Sequence, residues 1–350
     1  MIRVLGLALY GPLAASNRYR LAQYKNGLYK NSIHLEVCSL LDDTYLKNQF
    51  SGKKNSYISL VKLAWQRVYM LLKKRDYDLI ILHCELLPMI PAFIEKMLIR
   101  TKYIYDFDDA FFLRYKQGNL KMFNFLLGNK FDSIMSSASA INAGNSYLAE
   151  YSKKLNPNTK LFPTVIDTDR YYVNKNKENE IFTIGWIGSP STSGYLEEMI
   201  NPLNELGKRI PIKMIVIGGP APKIENISID EIPWSEDQEI ELINKIDVGI
   251  MPLPATDWAR GKCAFKLLQY MACGLPVVAS RVGANIDIVH SNVGFLAHDK
   301  NSWISALTAL YEDSNLRNEL GLNGRKLVEK EYSLSANLPI LVEVIQSVVK

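Results

Sequence analysis

The sequence predicts an α/β protein with two doubly wound parallel sheets. Short apolar segments alternate with helix patterns along the chain, polar residues interrupt this alternation near the middle, and 350 residues exceed one ordinary core. We expect a first domain over residues 1–165, a linker over 166–180 and a second domain over 181–335. A last helix over 336–350 can pack back on the first domain.

The first domain begins with an apolar, partly β-branched run that is typical of a buried parallel strand. Further strands are expected at 33–40, 78–83, 102–107, 138–143 and 160–163, with helices at 57–75, 88–99 and 120–131 between them. After the first strand, Ser16 or Asn17 is expected to cap a helix, so that Arg18 and Arg20 lie near its N-terminus. There the two arginines either contact an anionic acceptor or remain solvated surface.

The second domain restarts the alternation after the charged segment at 166–180. Strands are expected at 181–187, 212–217, 224–232, 247–251 and 276–280, and helices at 196–208, 238–245 and from 301 onward. Two units of similar size without a short repeat indicate two Rossmann-like domains.

Composition and cysteine spacing exclude several classes of protein. Apolar residues are 48% and charged residues 22%, and no apolar run reaches the roughly 18 residues that a membrane-spanning helix needs. The first residues fit a strand and turn better than an export leader. Four scattered cysteines and four histidines show no metal-ligand spacing, so we expect reduced thiols in a cytoplasmic protein and no zinc site.

Charge is distributed unevenly between the two halves. Residues 1–165 carry 23 Lys and Arg against 12 Asp and Glu, a net of +11, whereas the remainder carries 18 against 24, a net of −6. The first half therefore suits an anionic partner, either a membrane surface or a phosphate-bearing substrate. No nucleic-acid-binding module is recognisable, so nucleic acid is not expected.

The helix at 57–75 has both an apolar face and a basic end at Lys73, Lys74 and Arg75. It either packs on the core through residues such as Leu60 and Leu71 or lies on a membrane.

Two glycine-containing stretches have the form of anion sites. Residues 260–289 read RGKCAFKLLQYMACGLPVVASRVGANIDIV, with basic residues before a helix and a glycine turn after the next strand. The loop GWIGSPSTSG places Gly188 and Ser189 after a strand, where backbone N–H groups and hydroxyls can hold a phosphate. Neither G-x-G-x-x-G nor a P-loop is present, which argues against a nicotinamide enzyme or a P-loop enzyme.

The stretch QYMACGLPVVAS, followed by GANIDIV and NVGFLA, closely resembles the C-terminal motif of the family 4 retaining glycosyltransferases of the GT-B fold. GWIGSP, MPLP and the segment 142–167 extend the resemblance over most of both domains. The resemblance implies two Rossmann-like domains facing a cleft, and sugar transfer from a nucleotide diphosphate sugar with retention. It also implies that no metal or other cofactor is needed, because cations and helix N-termini stabilise the departing diphosphate.

The resemblance also implies a set of donor-binding residues in the second domain. Arg260, Lys262 and Lys266 are expected near the diphosphate, with Lys262 and Lys266 taking part in catalysis. The remaining donor residues would be Gly188, Ser189, Gln269, Gly283, Ala284, Asn285 and Asp287. Asp287 either lies near the donor or caps a helix.

The sequence departs from the family in one loop and at two positions. SPSTSG follows GWIG in the region where an Arg and a Lys of the donor phosphate site are usual. Gly261 and Gln269 stand where relatives commonly carry two glutamates, and glutamine can still hydrogen-bond a ribose hydroxyl.

The segment DFDDA follows a strand of the first domain and brings three carboxylates together. Such carboxylates repel one another unless a cation, a proton or a hydroxylated substrate compensates. Asp108 or Asp109 is expected to hydrogen-bond the acceptor hydroxyl or donor sugar as a catalytic residue, with Asp106 on the acceptor side. The alternatives are a helix N-cap and, less favoured, a metal site.

The sequence therefore predicts a glycosyltransferase that acts on a glycan or lipid-linked acceptor in surface polysaccharide or lipopolysaccharide synthesis. We expect it in the cytoplasm, peripheral on the inner face of the plasma membrane. The alternatives are a non-catalytic GT-B module that binds a sugar nucleotide or a partner, and a GT-B sugar-nucleotide epimerase.

Overall fold

The computed structural model describes residues 1–73, 76–174 and 179–350, which form two compact units. Unit 1 comprises Met1–Val165, Gly261–Cys263 and Leu334–Lys350, and unit 2 comprises Ile166–Arg260 and Ala264–Ser333. The described part of the segment predicted as a linker belongs to unit 2. Of that segment, residues 175–178 lie outside the described residues, as do Lys74 and Arg75 of the basic helix end.

Unit 1 is built on a six-stranded parallel sheet with the order β2-β1-β3-β4-β5-β6. Its strands are β1 (Ile2–Tyr10), β2 (Ile33–Leu41), β3 (Leu79–His83), β4 (Tyr103–Phe107), β5 (Ala140–Ala143) and β6 (Thr159–Leu161). Its first helices are α1 (Ala15–Arg20), α2 (Lys25–Lys30), α3 (Asp43–Phe50), α4 (Tyr57–Lys73), α5 (Ala92–Leu98), α6 (Asn124–Leu127), α7 (Lys130–Ser137) and α8 (Ser146–Lys153). The central strands are buried along most of their length, as their continuous apolar runs predict.

Unit 2 contains a second six-stranded parallel sheet with the order β12-β11-β10-β7-β8-β9. Its strands are β7 (Phe182–Ile187), β8 (Ile212–Ile217), β9 (Ser228–Ile232), β10 (Val248–Met251), β11 (Val277–Ser280) and β12 (Gly294–Ala297). Its helices are α9 (Ile200–Gly207), α10 (Glu239–Ile243), α11 (Asp257–Arg260), α12 (Phe265–Ala272), α13 (Ala284–Ile288), α14 (Lys300–Glu312) and α15 (Ser314–Glu331). The two-sheet α/β fold class predicted from the sequence is confirmed.

The last helix, α16 (Leu334–Val349), belongs to unit 1. Its buried residues, among them Leu341 and Ile345, join the core that contains β1 and β3. A Cβ at Gly27 would lie only 2.5 Å from a side-chain carbon of Leu338, so α16 and α2 approach closely.

Several predicted elements differ from the observed ones. The predicted helix at 120–131 is replaced by a 3₁₀ segment at Gly118–Phe123, the short α6 and then α7. The 3₁₀ segment begins at Gly118, which has φ +64°, and Gly128 follows the last residue of α6. The predicted cap at Ser16 or Asn17 is wrong. Helix α1 begins at Ala15 without a side-chain cap, and the Asn17 amide instead donates to the Tyr10 carbonyl at 2.7 Å.

Candidate functional site

The chemistry-bearing residues of unit 1 begin at the carboxyl ends of β3 and β4. These strands are parallel neighbours, and His83 pairs in register with Asp106. The His83 Nδ1 atom lies 2.8 Å from Asp106 Oδ1, and both side chains are buried. Ligands of open α/β sheets bind beyond the carboxyl ends of strands, so this pair marks a site edge.

Arg20 completes a buried ion pair with Asp106. Its Nε donates to Oδ1 at 2.9 Å and its Nη2 to Oδ2 at 2.6 Å, while Nη1 donates to the Phe162 carbonyl at 2.7 Å. Burial alone would raise the pKa of Asp106, but Arg20 and the His83 hydrogen bond lower it on balance.

This pairing limits the direct contact that Arg20 and Asp106 can make with an acceptor. Both side chains are almost fully buried and bonded to each other, so they hold the site together, and their acceptor-side role stays a prediction. Arg18 donates to the carbonyls of Pro12 and Leu13, which ties it to the loop after β1.

Asp108 and Asp109 lie in the loop that follows β4. The next helical turn, Phe111–Leu113, has no side-chain cap, so the alternative in which these aspartates cap a helix is wrong. Asp108 Oδ1 lies 3.7 Å from His83 Nε2, and 15% of the Asp108 side chain is exposed. Asp109 Oδ1 accepts from Lys262 Nζ at 2.8 Å.

The pKa of the Asp109 carboxyl group is raised. Burial raises its pKa above the usual range, with Asp108 adding to the rise and Lys262 opposing it. A carboxyl group with a raised pKa, still partly exposed and beside a cation, suits proton transfer.

The segment Gly261–Cys263 is held by contacts with this loop and with the start of α8. The Asn145 side chain caps α8 through Leu148 N and donates to the Lys262 carbonyl at 3.0 Å. The Cys263 thiol donates to the Asp108 carbonyl at 3.1 Å. A Cβ at Gly261 would lie 2.6 Å from Ala110 atoms, which gives a steric reason for glycine where the resemblance leads to glutamate.

The predicted donor loop of unit 2 follows β7. Gly188 N donates to the Ile217 carbonyl at 2.9 Å, and Ser189 Oγ lies 2.8 Å from Ser191 Oγ in a compact turn. The Lys266 ammonium lies 5.0 Å from the centre of the Trp186 ring, a cation–π distance. Lys266 therefore lies near the end of β7 from which the loop begins.

The remaining predicted donor residues are distributed differently from the expectation. Gln269 is buried in α12, and its Nε2 lies 3.5 Å from the Tyr171 hydroxyl, which itself donates to Glu239 at 2.5 Å. Gln269 thus faces packed protein in this structure, and its contact with the donor ribose stays a prediction. Arg260 is half-exposed and forms an ion pair with Asp257 at 3.3 Å.

The glycine turn before α13 has a specific backbone requirement. Gly283 has φ +54°, and a Cβ there would lie 2.6 Å from the Arg260 carbonyl oxygen. Ala284 and Asn285 begin α13, and the Asn285 amide donates to the Ser280 carbonyl at 2.9 Å. Asp287 lies inside α13 and the helix has no side-chain cap, so the capping alternative is wrong.

The structure thus groups the predicted residues in two sets. Lys262 belongs with Asp108 and Asp109 in unit 1, whereas Arg260 and Lys266 belong to unit 2. The sequence interpretation missed His83, Cys84 and Asn145. His83 ends a predicted strand and Asp106 lies one residue before the end of the next, and that similar position was the available indication.

The chain is similar to glycosyltransferases in both sequence and fold. Residues 180–313 match the sequence model of the family described as "Glycosyl transferases group 1". The capsular polysaccharide biosynthesis glycosyltransferase CapM of Staphylococcus aureus is 26% identical over 170 residues, which are 44% of this chain and 43% of that relative.

Solved structures match the chain over nearly its whole length. Sucrose-phosphate synthase from Thermosynechococcus elongatus has a TM-score of 0.74 at 13% identity, covering 99% of both chains. HepE from Anabaena, in complex with UDP-glucose, has a TM-score of 0.74 at 14% identity and covers 99% of this chain and 100% of its own. The lipopolysaccharide outer core galactosyltransferase WaaB has a TM-score of 0.65 at 12% identity, covering 99% of both. At such identities the likeness shows the fold, which is the GT-B fold.

Proposed function

We propose that this protein is a glycosyltransferase that moves a sugar from a nucleotide diphosphate sugar to a glycan or lipid-linked acceptor, with retention at the anomeric carbon. The observation that carries the proposal is the family match over residues 180–313. That range contains the Gly188 loop, α12 with Lys266, and the glycine turn at Gly283. The relatives named as capsular polysaccharide and lipopolysaccharide enzymes support a role in surface polysaccharide synthesis.

The donor belongs to unit 2 in this proposal. Transfer places negative charge on the departing diphosphate, so fixed cations and N–H groups that face it lower the barrier. Lys266 and Arg260 supply the positive charge, and the backbone at Gly283, Ala284 and Asn285 supplies N–H donors. These groups take the part that a divalent ion plays in other transferases, so the proposed reaction needs no metal.

The acceptor belongs to unit 1. Asp108 is the partly exposed carboxylate at the end of β4 and is assigned to the acceptor hydroxyl. Asp109, whose pKa is raised, and its partner Lys262 complete a carboxylate–ammonium pair beside it. A carboxylate that accepts the hydroxyl proton as the new bond forms is general base chemistry.

A membrane-facing acceptor is supported by α4. The inner face of this helix carries the predicted core residues, including buried Leu71, but its outer face is apolar and exposed. The exposed residues are Tyr57, Ile58, Val61, Trp65, Tyr69 and Leu72. Trp65 is 70% exposed, and basic residues of the same helix suit an anionic lipid surface. No helix in the described ranges is long and apolar enough to span a membrane.

Liposome co-sedimentation tests the membrane part of the proposal. We expect binding to vesicles with anionic lipid, a several-fold loss on Trp65→Ala, and no loss on Leu322→Ala, which removes an exposed side chain of unit 2. Equal binding to zwitterionic vesicles, or no effect of Trp65→Ala, would contradict a membrane-facing acceptor.

A thermal-shift screen of UDP-, GDP-, dTDP- and ADP-sugars tests the donor assignment. A ligand at about 100 times its Kd stabilises the folded protein by about 2.7 kcal/mol. Proton NMR of the product with a matched acceptor then reads the anomeric configuration. Stabilisation by one sugar nucleotide with α-to-α or β-to-β transfer is expected, and an inverted product would contradict retention.

A non-catalytic sugar-nucleotide-binding module is the second candidate, because Gly261 packs against Ala110 and Gln269 is buried. Neither position offers the carboxylate that the resemblance implies. Isothermal titration with binding, but no transfer in any acceptor mixture, would favour this candidate.

A further inference from the structure

We propose that unit 1 contains a binding site for a thiophilic divalent metal ion of the zinc class, formed by His83, Cys84 and Asp108. The site is separate from the donor diphosphate groups proposed above, and the inference does not depend on the transferase activity. Within the described residues, these three side chains form the group in which His, Cys and carboxylate ligand atoms converge within 4.8 Å.

The distances between the ligand atoms fit a tetrahedral ion. Cys84 Sγ lies 3.2 Å from His83 Nε2 and 3.9 Å from Asp108 Oδ1, and His83 Nε2 lies 3.7 Å from Asp108 Oδ1. Zinc bonds of about 2.0–2.3 Å, arranged tetrahedrally, separate neighbouring ligand atoms by about 3.3–3.6 Å. Shifts of a few tenths of an ångström would therefore complete the first coordination shell, with a fourth position left for water.

The backbone at Cys84 makes this convergence possible. Successive residues of a strand point to opposite faces, so His83 and Cys84 would diverge if β3 continued. Cys84 instead has φ +65°, a left-handed conformation that costs free energy for a residue with a Cβ. The turn is fixed by two bonds, from Cys84 N to the Asp106 carbonyl at 2.9 Å and from the Tyr105 hydroxyl to the Cys84 carbonyl at 2.8 Å.

The groups behind the ligands also match a metal site. A histidine that ligates a metal usually donates its second ring N–H to a carboxylate, which fixes the tautomer and the ring orientation. Asp106 occupies this place at 2.8 Å from His83 Nδ1, and Arg20 holds Asp106 in turn. The same bond leaves Nε2 as the acceptor nitrogen, which lies 3.2 Å from the Cys84 thiol and faces Asp108.

Electrostatics favour a cation between these groups. The Asp108 carboxylate oxygen lies 3.9 Å from Cys84 Sγ, which places negative charge beside the proposed ion. A metal binds the thiolate form of cysteine. Binding therefore exchanges the thiol proton for the Zn–S bond and releases the proton to solvent.

The ligand set also selects the class of ion. Thiolate and imidazole suit Zn²⁺ and Co²⁺, whereas Mg²⁺ prefers an all-oxygen octahedron. The bound ion would link the loop after β3 to the loop after β4, and it would engage Asp108, the carboxylate assigned to the acceptor.

The test uses the full chain, stripped with a chelator and then titrated with Co²⁺ or Zn²⁺. We expect one Co²⁺ per chain with a thiolate-to-cobalt charge-transfer band, displacement of cobalt by one equivalent of Zn²⁺, and no competition from Mg²⁺. Cys84→Ala should abolish the band, and Asp108→Asn should weaken binding by at least about 10-fold. Cys38→Ser, a thiol change elsewhere in unit 1, should leave the band intact.

Retention of the band in Cys84→Ala, or failure of the stripped wild-type chain to take up either ion, would overturn the site. Circular dichroism checks the fold of each variant. If Cys84→Ala does not fold, the Asp108→Asn titration decides alone, because an affinity equal to wild type would also overturn the site. Sugar transfer plays no part in these measurements, so their failure is distinct from failure of the proposed function.

Discussion

Replacing Asp106 with asparagine should destabilise unit 1 strongly. Asp106 accepts two hydrogen bonds from Arg20 and one contact from His83, all in a buried setting. The substitution keeps the shape of the side chain but leaves the Arg20 guanidinium, which is 1% exposed, without its countercharge. Removing one partner of a buried ion pair costs about 3–5 kcal/mol, because the remaining charge stays desolvated.

The assay must report on unit 1 separately, because two units need not unfold together. Native-state hydrogen exchange of the β3 and β4 amides at one fixed pH gives this local free energy of opening. Asp257→Asn is the control, since its pair with Arg260 is about half exposed on both sides and such pairs contribute about 0–1 kcal/mol.

The expected result is a loss of about 3–5 kcal/mol for Asp106→Asn and less than about 1 kcal/mol for Asp257→Asn. If Asp106→Asn lowers the opening free energy of β3 and β4 no more than the control does, the buried Arg20–Asp106 pair does not organise the site as described.

Three further substitutions test local packing and hydrogen bonding by denaturant or thermal unfolding. Gly261→Ala should lower the free energy of unfolding by about 1–3 kcal/mol, because its Cβ would lie 2.6 Å from Ala110. Gly194→Ala is the control and should be nearly neutral, because its Cβ would meet nothing within 4 Å. Equal effects of the two substitutions would refute the steric explanation. Asn145→Ala should lower the free energy of unfolding by about 1–2 kcal/mol through loss of the α8 cap, and Asn145→Ser should recover part of this loss. A serine variant as unstable as the alanine variant would contradict the capping role. Tyr270→Phe should lower the free energy of unfolding by about 1–3 kcal/mol, because the buried Ile187 N–H loses the hydroxyl that accepts its hydrogen bond at 2.9 Å. Tyr172→Phe, at an exposed position, should have little effect. A Tyr270→Phe variant as stable as wild type would count against the Ile187–Tyr270 bond.

The sequence predicted the strands of both sheets because continuous apolar runs and their spacing are local properties. The run at 2–10 and the run at 181–187 correspond to β1 and β7 almost residue for residue. The end of the predicted strand at 102–107 also located Asp106 at the edge of a sheet, where a site is expected.

Partners that are distant in the chain could not be predicted in the same way. Lys262 pairs with Asp109, which lies 153 positions away in the chain. The basic residues next to Lys262 in the sequence had instead favoured a donor-binding role. The histidines and cysteines have no ligand spacing in the sequence, whereas His83 and Asp108 come together because β3 and β4 are adjacent parallel strands. Strand adjacency is a property of the tertiary fold.

The direction of side chains on a helix was a second property that could not be predicted from the sequence. Gln269 is polar and follows a basic lead-in, which favoured a ligand contact. In the structure it lies within a run of α12, Leu267 to Ala272, that is buried on all sides. A helix surrounded by protein gives no outward face, so residue type alone could not assign the direction of Gln269.

Donor binding by unit 2 is measured by isothermal titration of the sugar nucleotide selected by thermal shift, with wild type, Lys266→Ala and Lys208→Ala compared. Lys266 lies over Trp186 near the Gly188 loop, whereas Lys208 is an exposed lysine elsewhere in unit 2. We expect saturable one-to-one binding in wild type and Lys208→Ala, and at least about a 10-fold weaker affinity in Lys266→Ala, a loss of about 1.4 kcal/mol. Binding of Lys266→Ala with wild-type affinity, or no binding of any sugar nucleotide to the wild-type chain, would contradict this expectation.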